Sequence, residues 1–147
     1  METKFIYSGF ASITHLNTRK EGPEDAKELA VDLKFKTEAS KAVFQFFDPY
    51  IDTVLYDPGT GAVRNAKLGP ITFDYELEHY AFQVLERMFS GAKVKKFALQ
   101  PIDGHRVELA FQISFNPVGE DVALLAEFLQ NDIEIKVFPI DGELYFN

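Results

Sequence analysis

The segment Val107 to Phe115 constrains this chain more than any other. Val107, Leu109, Phe111, Ile113 and Phe115 set five large apolar side chains at alternate positions. That period of two belongs to a strand with one face in a core. Immediately before it, Ile102-Asp103-Gly104-His105 reads as a turn, and Asp-Gly is a strong hairpin signal. Lys95, Phe97 and Leu99 alternate on the other side of that turn, which predicts an antiparallel partner.

The same period recurs elsewhere. Leu29, Val31, Leu33 and Phe35 alternate with Ala30, Asp32, Lys34 and Lys36. Ile71, Phe73, Tyr75 and Leu77 alternate with Thr72, Asp74, Glu76 and Glu78, a half-buried strand with an acidic outer face. Tyr80, Phe82 and Val84 resume the pattern, which predicts a tight hairpin near Glu78-His79; a helix over Glu76 to Met88 is the competing reading. Lys4 to Leu16 alternates imperfectly, with Gly9 marking a bulge or a close approach. Ile133, Ile135 and Val137 form a last strand, and Pro139 with Asp141-Gly142 closes the pattern. The polar stretch Asn17 to Asp25 reads as a loop, and Asp57-Pro58-Gly59-Thr60-Gly61 as a turn.

Two regions change period. Ala39, Val43, Phe46 and Phe47 recur at helical spacing within Glu38–Phe47, with Ser40 placed to cap, and Asp48-Pro49 interrupts them. Tyr50 to Tyr56 reads as a short helical continuation. Gly119-Glu120-Asp121 opens a helix with acids where its dipole favours them, and Val122, Leu125, Phe128 and Leu129 form its apolar face as far as Asn131-Asp132. Together these elements predict one α+β domain over 1–147. Its antiparallel sheet would have about seven strands, with two helices packed on one face.

Composition excludes several classes. Apolar residues make up 46% and aromatics 14%, including 15 Phe, too much for a disordered chain. No run approaches the ~20 apolar residues of a membrane span. Met1-Glu2-Thr3-Lys4 shows no basic region leading into an apolar one, so no secretory signal is expected. With no cysteine, disulfides, thiolate metal sites and cysteine nucleophiles are excluded.

Linear catalytic motifs are missing. The turn at 57–61 lacks the Gly-Lys-Ser/Thr of a phosphate loop, no G-x-G-x-x-G follows a strand, and there is no G-x-S-x-G. His15, His79 and His105 share no ligand spacing. No catalytic residue, metal site or cofactor is therefore expected. Asp74, Glu76 and Glu78 share a strand face, a spacing that could hold a cation or set up an acid/base pair, but a solvated face alternating with a buried one is the preferred reading.

Charge suggests partners. With 15 Lys+Arg against 23 Asp+Glu, the formal charge is −8. That opposes passive binding to nucleic acid or anionic membranes unless a local basic face dominates. Lys34, Lys36, Lys93, Lys95 and Lys96, with Phe97 on the same strand face as Lys95, combine cations with an aromatic ring. Single-stranded nucleic-acid binders need that combination. Phe35 points away from Lys34 and Lys36 and belongs to the core. The acids suggest an alternative: a nucleic-acid mimic that binds a host protein through Arg19, Glu21, Glu24, Asp25, Glu28, Asp74, Glu76 and Glu78.

Three phrases carry a resemblance. They are Ala11-Ser12-Ile13-Thr14-His15-Leu16-Asn17-Thr18-Arg19-Lys20-Glu21-Gly22-Pro23-Glu24-Asp25 running into Leu29-Ala30-Val31-Asp32-Leu33-Lys34, then Leu68-Gly69-Pro70-Ile71-Thr72-Phe73-Asp74-Tyr75, and Phe97-Ala98-Leu99-Gln100-Pro101-Ile102-Asp103-Gly104. In matching order over most of the chain, they resemble an uncharacterised family of small proteins encoded in bacteriophages and prophages. The resemblance implies a viral context in the cytoplasm of a bacterial host. It implies either an accessory of DNA replication or recombination or an inhibitor of host defence. The expected function is non-enzymatic: binding single-stranded DNA or a DNA-processing protein, away from membranes. The phenylalanine content and open strand edges also suggest a homodimer.

Overall fold

The computed structural model describes residues 4–140. In chain order it contains β1 (Tyr7–Glu21), β2 (Glu28–Ser40), a 3-10 turn (Lys41–Val43), α1 (Phe44–Phe47) and α2 (Ile51–Leu55). There follow β3 (Ile71–Val84), β4 (Arg87–Ile102), β5 (Arg106–Phe115), α3 (Gly119–Ala126) and β6 (Asp132–Pro139). The strands close into a barrel in the order β1-β2-β5-β4-β3-β6, and every neighbouring pair is antiparallel. The fold is thus mostly antiparallel sheet with a few short helices.

β5 is the strand its alternation promised. Val107, Leu109, Phe111, Ile113 and Phe115 are all buried at 3% exposure or less. Phe111 lies at the centre of an aromatic column, with ring centroids 5.6 Å from Phe5, 5.7 Å from Phe35 and 6.0 Å from Tyr7. The column continues from Phe35 to Phe82 at 5.8 Å, to Phe115 at 5.1 Å and to Phe89 at 4.7 Å. Such edge and tilted contacts add to the area each ring buries. Phe5 precedes β1 and still enters this core, and its carbonyl accepts a hydrogen bond from the Tyr80 hydroxyl at 2.9 Å.

The strand count differs from expectation because Ile71–Val84 is one strand, not two. There is no hairpin at Glu78-His79. The register shifts between Leu77 and Tyr80, and His79 takes φ 59. This bulge resets the alternation without reversing the chain. The actual turn is Leu85-Glu86, where both residues have positive φ (51 and 62), as a two-residue hairpin of mirror-image type requires. Neither is Gly, Asn or Asp, so the usual signal is lacking. Asn17 to Glu21, expected as loop, continues β1 and pairs with β2 down to Glu21 opposite Glu28. Backbone bonds sustain that ladder although its side chains are polar.

The helices do not cover one face. α1 and α2 follow Ser40, which pairs with Arg106 at the start of β5, whereas α3 follows Phe115 at the other end. They therefore close opposite ends of the barrel, delivering Phe44, Phe47, Leu55 and Leu125 to the core. Glu38 to Ser40 remains strand, and Ser40 caps the 3-10 turn by accepting from the Ala42 amide at 3.2 Å. α3 stops at Ala126, short of the expected Asn131. The turn at 57–61 is present. The Gly61 carbonyl accepts from the amides of Gly104 (3.0 Å) and His105 (3.1 Å), so this loop is fastened to the β4–β5 turn. Gly61 has φ +75, and a Cβ there would lie 2.3 Å from the His105 ring, so no other residue fits. Asp141-Gly142 lies outside the described residues.

Each strand has a neighbour on either side, and among the described phenylalanines only Phe10 is exposed (62%).

The aromatic column makes a testable claim about stability. Phe111→Ala should lower unfolding free energy by about 3–5 kcal/mol, as a large core cavity does. Urea unfolding should show an earlier midpoint at similar slope. A loss below about 1 kcal/mol would mean that the column is not the centre of the core.

Candidate functional site

The register of the barrel decides which predicted residues meet. On the outer face, Lys34 of β2 and Lys95 of β4 both stand opposite Gln112 of β5, and His15 of β1 stands opposite Lys34. One row along, Asn17, Asp32, Ser114 and Lys93 form a second line across the same four strands. Lys36 lies on β2 opposite Ala110. All five predicted lysines thus flank β5 on one side of the barrel. β5 contributes Ala110, Gln112 and Ser114 between the lysines, with Glu108 at the end beside Lys36, and the three shorter side chains leave a groove between lysine-bearing walls.

The groove consists of two adjoining depressions. The larger, about 330 Å³, is lined by Arg19, Glu21, Asp32, Lys93, Lys95, Lys96, Gln112, Ser114 and Asn116 among others. The second, about 250 Å³, includes Thr14, His15, Lys34, Lys36, Lys96, Ala110 and Gln112. Lys96 and Gln112 belong to both.

A β-bulge puts Lys96 there. Lys95 pairs with Gln112 and Ala98 with Ala110, so Lys96 and Phe97 together face Phe111. Lys96 takes φ 57, in the left-handed region that side chains other than Gly avoid. The extra residue turns Lys95 and Lys96 both outward, where strict alternation would send Lys96 into the barrel. It also overturns the expectation for Phe97, which is 1% exposed and packs 5.0 Å from Phe5 in the core. Phe97 shares no face with Lys95 and cannot stack on a base. The remaining phenylalanines beside the groove, Phe35, Phe111 and Phe115, are likewise buried at 3% or less.

Charge is unevenly balanced along the groove. Lys36 is 3.4 Å from Glu108, and Lys93 is 3.9 Å from Glu76 and 3.6 Å from Glu78. Among the described residues, Lys34, Lys95 and Lys96 have no carboxylate within ion-pairing distance. Glu76 stands opposite Lys95 in register, yet turns to Lys93.

At the other end, Arg19 clamps Asp32 through two bonds of 3.0 Å, and the Ser114 hydroxyl donates to Asp32 at 2.6 Å. Partial burial pushes the Asp32 carboxyl up, but the hydrogen bonds from Arg19 and Ser114 and the Arg19 charge outweigh it and hold it at about 2. Asp32 and Glu21 in turn raise Arg19 above its ordinary value, chiefly by accepting its hydrogen bonds. Glu21 is held low by Asn116 and then by Arg19. Arg19, Asp32, Ser114, Glu21 and Asn116 thus form a hydrogen-bonded clamp at the groove's edge.

The alternative acidic surface is not brought together. Glu21, Glu24, Asp25 and Glu28 lie at the β1–β2 connection, whereas Asp74, Glu76 and Glu78 lie on β3, which neighbours neither strand. Glu21, Glu76 and Glu78 are engaged by Arg19 and Lys93. Among the described residues no group of three His, Asp or Glu side chains is placed to hold a metal ion. His79 lies in its bulge and His105 beside Gly61, both away from the groove.

Sequence reasoning missed Gln112 and Ser114. They occupy the outward positions of β5, yet are 4% and 6% exposed. Alternation assigns such residues to solvent, and only the overlying side chains of neighbouring strands bury them.

No family model, curated protein or solved structure matches this chain. Among the described residues, no helix is long and apolar enough to cross a membrane.

The Asp32 clamp implies a pH dependence of stability. Its carboxyl is lowered from 3.8 to about 2 on folding, so the stabilisation is present above about pH 4 and is lost as pH falls toward 2. The expected loss is on the order of 1–2 kcal/mol. In Asp32→Asn that portion should vanish, as urea unfolding at about pH 5 and about pH 2.5 would test. Parallel losses in both proteins would assign the effect to other groups.

Proposed function

We propose that this protein is a non-enzymatic, single-stranded-DNA-binding accessory of phage or prophage DNA metabolism. It would hold the sugar–phosphate backbone in the outer groove over β5. The observation that carries this reading is the convergence of Lys34, Lys95 and Lys96, without carboxylate partners among the described residues, in a chain of net charge −8. Lys34, Lys95 and Lys96 gathered on one groove without a carboxylate partner favour an external anion. The left-handed backbone at Lys96 supports the same reading, because such strain clusters at binding sites. The phage or prophage setting rests on the resemblance carried by the three sequence phrases alone.

The groove also shapes the mode of binding. No exposed Phe or Tyr ring lines it among the described residues and His15 is the exposed ring at its edge, so base stacking would contribute little. Affinity should come from lysine–phosphate contacts and depend weakly on base sequence.

Fluorescence anisotropy with a labelled single-stranded oligonucleotide tests this. Binding should weaken steeply with salt, with a log–log slope near −2 for three phosphates at about −0.7 each. Lys95→Gln should reduce that slope by about 0.7. Absence of binding at low salt, where screening is least, would overturn the proposal.

A further inference from the structure

We infer that Gln112 is a hydrogen-bonding subsite for a backbone phosphate, the point at which the strand is registered in the groove; this rests on the reading of the groove given above. Gln112 is 4% exposed, and its amide nitrogen makes one long bond, 3.4 Å to the Ser114 hydroxyl oxygen. The Ser114 proton is already given to Asp32 at 2.6 Å, so Ser114 accepts from Gln112. A primary amide carries two N–H donors and a carbonyl acceptor. One donor and the carbonyl of Gln112 therefore have no partner among the described residues. Among the described residues His105 Nδ1, not Gln112, is the buried side-chain polar atom left without a partner, so the unused Gln112 groups are open to the groove and a ligand for them needs a reason beyond burial.

Its neighbours supply one. Lys34 and Lys95 are the register partners of Gln112 on either side, each one strand spacing, ~4.8 Å, away. Lys96 joins them because the bulge turns it outward, and it lines both depressions with Gln112. Lysines on both flanking strands beside a neutral amide donor suit a tetrahedral oxyanion with two free oxygens. The lysines meet its charge, and the amide meets one oxygen from below. Asp32, the nearest carboxylate on the groove floor, is neutralised by Arg19.

A neutral contact and a charged one differ in their salt signature. Oligothymidylate of twelve nucleotides would be titrated by anisotropy against wild type, Gln112→Met and Lys95→Gln over a range of salt. Gln112→Met keeps the size of the buried side chain but cannot hydrogen-bond. It should bind about tenfold more weakly with an unchanged salt slope, because no counterion is involved. Lys95→Gln should change the slope. If Gln112→Met binds like wild type while Lys95→Gln is weakened, the subsite falls and the groove reading stands. If wild type fails to bind at low salt, both fall. Should Gln112→Met not fold, the wild-type Gln112 side-chain amide resonance provides the test. It should shift on adding the oligonucleotide, and at lower total phosphate than with inorganic phosphate alone. A resonance that oligonucleotide leaves unmoved overturns the subsite. Equal shifts at equal phosphate would assign it to free phosphate rather than to a nucleic-acid backbone.

Discussion

The register of β5 is the constraint on which the rest of this structure depends. Its inward residues build the aromatic column, and its outward residues form the groove floor. Side chains alternate strictly along a strand, so a one-residue slip against β2 or β4 would exchange the two sets. Such a slip would place Gln112 and Ser114 among phenylalanines and Phe111 in water. The hydrophobic cost of that exchange fixes the pairing, and the pairing sets Lys34 and Lys95 on either side of Gln112. Core packing and site geometry thus have one physical cause.

The bulge at Lys95-Lys96 is a local exception that serves both faces. It turns two consecutive lysines outward and returns Phe97 to the interior, where it completes the column beside Phe5. The backbone at Lys96 is held in an unfavourable region by the ladder on either side. The arrangement concentrates positive charge on one surface of a strongly acidic protein. Arg19, shared between Asp32 and Glu21, offsets part of the negative charge at that end of the groove. Glu76 and Glu78 are held by Lys93, whereas Asp25, Glu28, Asp74 and Glu134 have no cation partner among the described residues.

Much of the fold was legible in the sequence where one period ran uninterrupted. β5, β2 and the turns at 57–61 and 102–105 lie where alternation and Gly-Asp chemistry put them. The reading failed where a bulge shifted the phase. At His79 a change of parity resembles a reversal of the chain, and at Lys96 it mispoints Phe97. Positive φ at Leu85 and Glu86 has no composition signal, so the true hairpin was invisible. The lysines of the groove were recognisable individually, but nothing local joins β2 to β4 across β5.

By itself the sequence determined that this chain is largely antiparallel sheet around a phenylalanine core, and which side chains can carry charge. Those properties are local, set by alternation, turn residues and composition. Only the tertiary structure decided that the sheet closes into a barrel, that Phe97 is core, and that Lys34, Lys95 and Lys96 converge over Gln112. These depend on strand order and register, which come from the simultaneous burial of distant segments. No stretch of the chain encodes that alone.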